Sequence, residues 1–343
     1  MANNFNPDVR IPSYDVIAVG SNTIDAFVYT DRSESISIKT ISSETEFISF
    51  PLGSKIALND CDFYTGGGGT NSAVCLSRLG LKIAYIGKVG SDFNGKKILD
   101  ELKMEGVDFL GIESKDPKEK TGFSMVLDSI ERKRTILTYR GANDNLKIEE
   151  IDKSKISSGW LYISSMVGQS FIALEKIVEH AANNKINIIF NPNNYLCEKG
   201  KDFLGKILSN TDILILNNEE AGLLTGKEGT ETILKDLKSS GPEIIIITNG
   251  DKPVYLIDNE EMLYTLYPLD IKIQEVTGAG DSFASTFLAG MIKTNDINFS
   301  LKMAIINSHS VLQYKGAKNI LLSYEEILKK LNNTEIIIKK GIF

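Results

Sequence analysis

Six short apolar runs rich in β-branched residues recur along the chain: Val16–Val19, Ile83–Ile86, Leu161–Ile163, Ile186–Phe190, Ile213–Leu216 and Ile244–Ile247. They limit the available folds because they are continuous rather than alternating, so strands formed from them must be buried on both faces. Most are followed by a stretch of helical period, as in Phe171–His180, Thr232–Leu237, Phe283–Ile292 and Tyr324–Leu331. Strand then helix, repeated, implies an α/β fold with a mostly parallel sheet covered on both faces. A chain of 343 residues with ordinary apolar and charged fractions can bury a core of that size.

Two segments break the rhythm. Residues 27–64 form a β-leaning, Ser/Thr-rich stretch without helical period, and residues 121–139 read as strand, turn and strand around Ser129-Ile130-Glu131-Arg132-Lys133. β pieces interrupting an α/β core are expected to form one small sheet over it, a lid. The domain reading is therefore a core of 1–26, 65–120 and 140–343 with a lid of 27–64 and 121–139.

The net charge of −7 argues against a general nucleic-acid binder. Lys118, Lys120, Arg132, Lys133 and Arg134 are too few and too scattered for a stripe along a phosphate backbone. Cys61, Cys75 and Cys197 stand far apart without a CxxC spacing, which favours a reducing cytoplasm over a disulfide framework or a zinc site. No apolar run approaches the roughly 18 residues of a membrane helix, and the start, Met1 to Pro12, lacks an apolar signal core. The two histidines, His180 and His309, include one on a solvated helix, so a histidine-centred triad is not expected. Catalysis, if present, rests on a carboxylate.

The segment Val276-Thr277-Gly278-Ala279-Gly280-Asp281 supplies one beside small residues at a helix start. Backbone N–H groups there can converge on an anion, and Asp281 can take a proton. A helix entry with Asp281 favoured by the dipole would look the same. A dinucleotide fingerprint fits poorly, because Phe283 stands where Gly or Ala is wanted and no strand ending in an acid follows. A Walker loop is excluded, since no GKS or GKT follows. Gly66-Gly67-Gly68-Gly69 runs straight into a helical pattern and reads as a tight strand-to-helix turn.

Over nearly its whole length the chain resembles the ribokinase-like carbohydrate kinase family of the phosphofructokinase B type. Gly66 through Ala73, Leu79-Gly80 and Ile86-Gly87-Lys88-Val89-Gly90-Ser91-Asp92-Phe93-Asn94-Gly95 look like the family's first signature, and Thr277 to Gly290 like its second. The resemblance implies a three-layer, doubly wound sheet with a β lid. It also implies a kinase using ATP and Mg²⁺, with Asp281 as general base and the N–H groups of Gly278, Ala279 and Gly280 as an anion hole. Asp25, in the Gly20-Ser21-Asn22-Thr23-Ile24-Asp25 end of the first strand, would grip acceptor hydroxyls beside Gly66, Gly67 and Asn71. Asn217 and Glu220 resemble the family's NxxE motif for Mg²⁺, its waters and phosphate, although the same pair also reads as a helix capping pattern. Thr248 and Gly250 match a nucleotide-contacting turn, while Asn307 and Gly316 resemble the segment walling the adenine, or else a helix and its glycine cap. Relatives commonly pair as lid-to-lid homodimers.

Departures fall where the acceptor is chosen. Ribokinases proper carry Asn two residues before the Asp, where this chain has Thr23, and a Lys where it has Gly68. Pro253 replaces a glycine near the nucleotide turn. Glu275 stands where many relatives place an Asp near a monovalent-cation site, which leaves potassium activation open. Arg140, in the lid-return segment, could pair with an acceptor carboxylate or phosphate, or stand as a solvated charge. A sugar, a sugar acid and a nucleoside all remain as acceptors, ADP remains beside ATP as donor, and a silent sugar-binding protein on the same fold is the non-enzymatic alternative.

Overall fold

The computed structural model describes residues 12–40, 44–128, 134–271 and 273–343; the expected turn at 129–133 and the polar start before Ile11 lie outside them. A ten-stranded sheet runs in the order Ile338–Ile342, Met262–Leu266, Lys252–Ile257, Ile244–Asn249, Ile213–Asn217, Asn187–Phe190, Ser158–Ile163, Tyr14–Val19, Ile83–Ile86 and Asp108–Phe109. From Ile244–Asn249 onward every neighbouring pair is parallel. All six apolar runs fall in this part. The strands on the other side are antiparallel, and their residues are more exposed; Ile244–Asn249, Lys252–Ile257 and Met262–Leu266 follow one another through short turns, while Ile338–Ile342 comes back from the C-terminal end of the chain.

Successive side chains of a strand point to opposite faces, which divides the core into two layers. Val16 and Ala18 join the side packed by the helices Gly68–Arg78, Ala279–Thr294 and Ile297–Val311. Ile17 and Val19 join the other, packed by Gln169–Asn183, Gly200–Leu208, Asn218–Thr225 and Thr230–Lys238. The result is the three-layer doubly wound arrangement. Among the described residues no helix is long and apolar enough to cross a membrane.

From Tyr14–Val19 the chain moves to Ile83–Ile86 on one side and later returns to Ser158–Ile163 on the other. Strand order thus reverses about Tyr14–Val19. Open α/β sheets hold ligands outside the carboxyl ends of the strands at such a point.

A second sheet has four strands, Arg134–Tyr139, Phe123–Asp128, Thr23–Tyr29 and Asp60–Gly66. The sequence leads one to expect 27–64 and 121–139 in a single sheet, but the hairpin of Glu34–Lys39 and Glu44–Ser49 forms a separate two-stranded sheet. Its exposed Ile36, Ile38 and Phe47 keep a β-like pattern, but among the described residues the hairpin pairs only with itself. The four-stranded sheet also reaches past the expected boundaries to take in Thr23–Ala26 and Thr65–Gly66. Asp25 therefore does not end the first strand. The chain turns at Gly20–Asn22, and Asp25 is the third residue of the next strand, opposite Tyr64 and Ser124.

Candidate active site

Five of the parallel strands, Tyr14–Val19, Ser158–Ile163, Asn187–Phe190, Ile213–Asn217 and Ile244–Asn249, reach a small polar residue where or just after the apolar run stops. Ser21, Ser164, Ser165, Asn191, Asn193, Asn217 and Thr248 line a cavity of about 290 Å³ together with Gly68, Glu220, Gly278, Gly280 and Asp281. Ser164, Ser165, Asn191 and Asn193 are absent from the sequence reading, and Ser21 figures there only within the first-strand segment, although their position one to three residues beyond an apolar run would have marked them.

Asp281 occupies the first turn of the Ala279–Thr294 helix, behind Gly278. Gly278 has φ +83°, and a Cβ there would lie 2.3 Å from Cβ of Ala317, so both conformation and space demand glycine. A Cβ on Gly280 would meet nothing within 4 Å, so its Cα is open on that side. The expected three-donor anion hole needs one correction. Ala279 donates its N–H to the Val276 carbonyl at 3.3 Å in the local turn, and Ala279 is not among the residues lining the cavity. Gly278 and Gly280 line the cavity.

Asn71 donates from Nδ2 to Asp281 Oδ2 at 2.8 Å, fixing the carboxylate from the glycine-started helix. Burial pushes the Asp281 carboxyl above its ordinary value, the Asn71 hydrogen bond and the Lys318 ammonium pull it down, and Asp25 pushes it up again. Glu220 faces the same cavity. Burial raises its carboxyl to about 7, opposed by the Asn217 N–H and reinforced by Asp281. Asn217 and Glu220 form a complete capping box: Glu220 N–H donates to Asn217 Oδ1, and Asn217 N–H to Glu220 Oε2, each at 2.8 Å. The cap does not displace the pair from the cavity, since both residues line it. Glu275 is also engaged: its Oε1 accepts from the N–H groups of Val276 and Thr277 and from the Thr277 hydroxyl, anchoring the turn that leads to Gly278.

On the side of the four-stranded sheet, Asp25 accepts from the Thr23 hydroxyl at 2.8 Å and is hydrogen-bonded by Ser124. Burial raises its carboxyl, and Thr23, Ser124 and Lys318 oppose the rise. A Cβ on Gly66 would sit 1.9 Å from Asp25 Oδ2, and one on Gly67, with φ +96°, would strike the backbone of Asn22. These glycines make space for Asp25 and let a helix start against the first strand.

Other expected site residues are placed elsewhere. Asn307 is fully buried: it donates to the Thr286 hydroxyl at 2.8 Å and accepts from Leu322 N–H at 2.9 Å. Those bonds tie the helices of one layer to the C-terminal segment, so Asn307 is an interior anchor rather than an adenine wall. Gly316, with φ +87°, packs under the Tyr64 ring. Gly250 supplies the φ of +59° that turns Ile244–Asn249 into Lys252–Ile257, and only Thr248 of that pair lines the cavity. Arg140 lies over the Tyr195 ring at 4.2 Å and within 4.0 Å of Asp144, outside the cavity lining.

Lys318 is missing from the sequence reading. It is 4% exposed and donates to Glu101 Oε2 at 2.6 Å, while Glu101 also accepts from the Thr65 hydroxyl. Only its place two residues after Gly316 could have drawn attention to it.

A family profile described as pfkB family carbohydrate kinase matches residues 34–323. An uncharacterized sugar kinase of Archaeoglobus fulgidus is 31% identical over 71% of this chain and 96% of its own length. A 5-dehydro-2-deoxygluconokinase of Halalkalibacterium halodurans is 27% identical over 80% and 87%. Among solved structures, a putative ribokinase II of E. coli superposes with TM-scores of 0.79 in its apo form and 0.77 with ATP and Mg²⁺, at 20% identity, covering 93% of this chain and 99% of that one. The ribokinase of Arabidopsis thaliana complexed with ribose and ATP gives 0.75 at 21% identity, covering 94% and 99%.

Proposed function

The chain belongs to the pfkB family of carbohydrate kinases, and from that premise we propose that it transfers the γ-phosphoryl group of ATP to a hydroxyl of a sugar or sugar derivative, with Asp281 as general base. The observation that carries this reading is the placement of the Asn71-held Asp281 carboxylate in one cavity with the open Gly278–Gly280 turn. The acceptor hydroxyl lies against Asp281, which takes its proton as the oxygen attacks phosphorus and the bond to ADP breaks. The N–H groups of Gly278 and Gly280 stabilise charge on the transferring oxygens. Asp25 grips neighbouring hydroxyls from the small sheet, which acts as a lid that excludes water as a rival nucleophile.

The donor set fits Mg²⁺. Glu220 and Asn217 present hard oxygen donors to the cavity, and among the described residues no cluster of three or more His, Cys, Asp or Glu side chains would strip the ion of its waters. Glu220 and Asn217 would hold it largely through water, and when bound it would neutralise phosphate charge. The test is a panel of sugars, sugar acids and nucleosides with ATP and ADP as donors, reading phosphorylated product by mass. Magnesium-dependent product from at least one acceptor is expected; binding of a sugar without product from any member would leave a silent sugar-binding protein instead.

A further inference from the structure

The chain crosses between the core and the four-stranded sheet at residues 20–22, 67, 120–122 and 140–143. All four crossings meet at Asn22, which is fully buried. A Cβ on Gly67 would lie 2.5 Å from Asn22 Cα, and one on Gly122 would lie 2.6 Å from the Asn22 carbonyl oxygen, so two of them reach Asn22 only as glycine. The fourth reaches it through the Asn143 side chain. Asn22 N–H donates to Asn143 Oδ1 at 3.0 Å, and Asn143 Nδ2 donates to the Asn22 carbonyl at 2.7 Å. One side-chain amide, with its single acceptor and paired donors, thus takes both backbone groups of Asn22 as a neighbouring strand would.

The Asn22 side chain faces the core. Its Nδ2 donates to the Tyr85 hydroxyl and to the Lys88 carbonyl, each at 3.0 Å, and the Tyr85 hydroxyl donates to the Gly20 carbonyl at 2.8 Å. Asn22 and Tyr85 are inaccessible and Asn143 is 5% exposed, so solvent does not replace these bonds when one is lost. On one side of Asn22, Ser21 lines the cavity that holds Asp281; on the other, Thr23 opens the strand that carries Asp25. The pose of the small sheet over the cavity is therefore set at Asn22. We propose that Asn143 is a positioning residue whose amide is the pivot of the small sheet, governing how tightly the acceptor is held and how much ATP is lost to water as ADP and phosphate. It acts through Asn22 rather than on a substrate. The inference rests on the reading of the small sheet as a lid carrying acceptor contacts, and it adds the residue that sets the lid's pose.

Two variants disturb the pivot in different ways. Asn143→Ala removes the amide. Gly122→Ala removes no hydrogen-bonding group but sets a methyl group 2.3 Å from Asn143 Nδ2, prising the pair apart, and Gly122 lies outside the left-handed region, so the methyl group is the perturbation. The probes are the panel sugar that wild type binds tightest by calorimetry and the non-hydrolysable ATP analogue AMP-PNP. Both variants should weaken sugar binding by about tenfold or more while AMP-PNP binding stays within about twofold, since a small misplacement far from the chemistry is enough to spoil a bound geometry. In turnover, the ratio of ADP to sugar phosphate should rise above that of wild type. A merely structural role would lower the folded fraction and with it kcat, leaving the sugar Kd and the ratio where they were. That result, or equal weakening of both ligands, would overturn the proposal. If Asn143→Ala does not fold, Gly122→Ala decides alone on the same two dissociation constants. A wild type that binds the sugar but transfers nothing would sink the proposed function instead, and the dissociation constants would still decide the pivot.

Discussion

Replacing Glu220 by Gln should stabilise the ligand-free protein at neutral pH while removing activity. The Glu220 carboxyl rises from an ordinary 4.5 to about 7, chiefly through burial. Between those values the folded protein holds a proton that the unfolded chain has released, so the wild type loses stability as pH climbs through the window. About two and a half pH units correspond to about 3 kcal/mol. Gln can still accept the Asn217 N–H, so the helix cap survives and the ionisation alone is removed. Equilibrium urea denaturation at pH 4.5 and pH 8 measures both chains. The gap between them should be small at pH 4.5 and open to about 3 kcal/mol in favour of Glu220→Gln at pH 8. A gap constant to within about 1 kcal/mol would refute the claim that Glu220 is a strained, desolvated acid awaiting a cation.

Asn307→Ala should cost about 2–4 kcal/mol, because it leaves Leu322 N–H and the Thr286 hydroxyl short of partners in the interior, yet the KM for ATP should stay unchanged; a weakened KM in folded protein would return Asn307 to the nucleotide site. Gly278→Ala should lose about 1–3 kcal/mol from its positive φ, with more from the clash on Ala317. Gly280→Ala has space for its methyl group, so its thermal unfolding should match wild type while kcat falls by about 10²-fold as the methyl fills the phosphate cradle; unaltered turnover would count against the cradle. Asp25→Asn should raise the acceptor KM at least tenfold and leave the ATP KM alone, and equal effects on both would remove Asp25 from the acceptor side.

What the sequence made legible was set by pattern length. The six apolar runs are buried on both faces, so their composition alone marked them as central strands, and each lies in the parallel part of the sheet. Lys252–Ile257 and Met262–Leu266 escaped because they are partly exposed and mixed in polarity, without a continuous apolar run. Asp25 was recognised as a residue but misplaced in the fold, since nothing local in Gly20-Ser21-Asn22 says that the chain leaves one sheet and enters another there. Asn307 and Lys318 show the same limit from opposite sides. Both are polar residues near the C-terminal glycine turn, and only tertiary packing reveals that one bonds inside a helix layer while the other pairs with Glu101 in the interior.

The central claim is that the Asp281 carboxylate accepts the proton of the attacking hydroxyl. Single-turnover phosphoryl transfer by Asp281→Asn, with the acceptor that performs best in the panel, tests it most directly. The amide can keep the Asn71 contact region intact but cannot act as a base, so transfer should slow by about 10²–10⁴-fold with ATP binding preserved. Transfer within a few-fold of wild type would contradict the account.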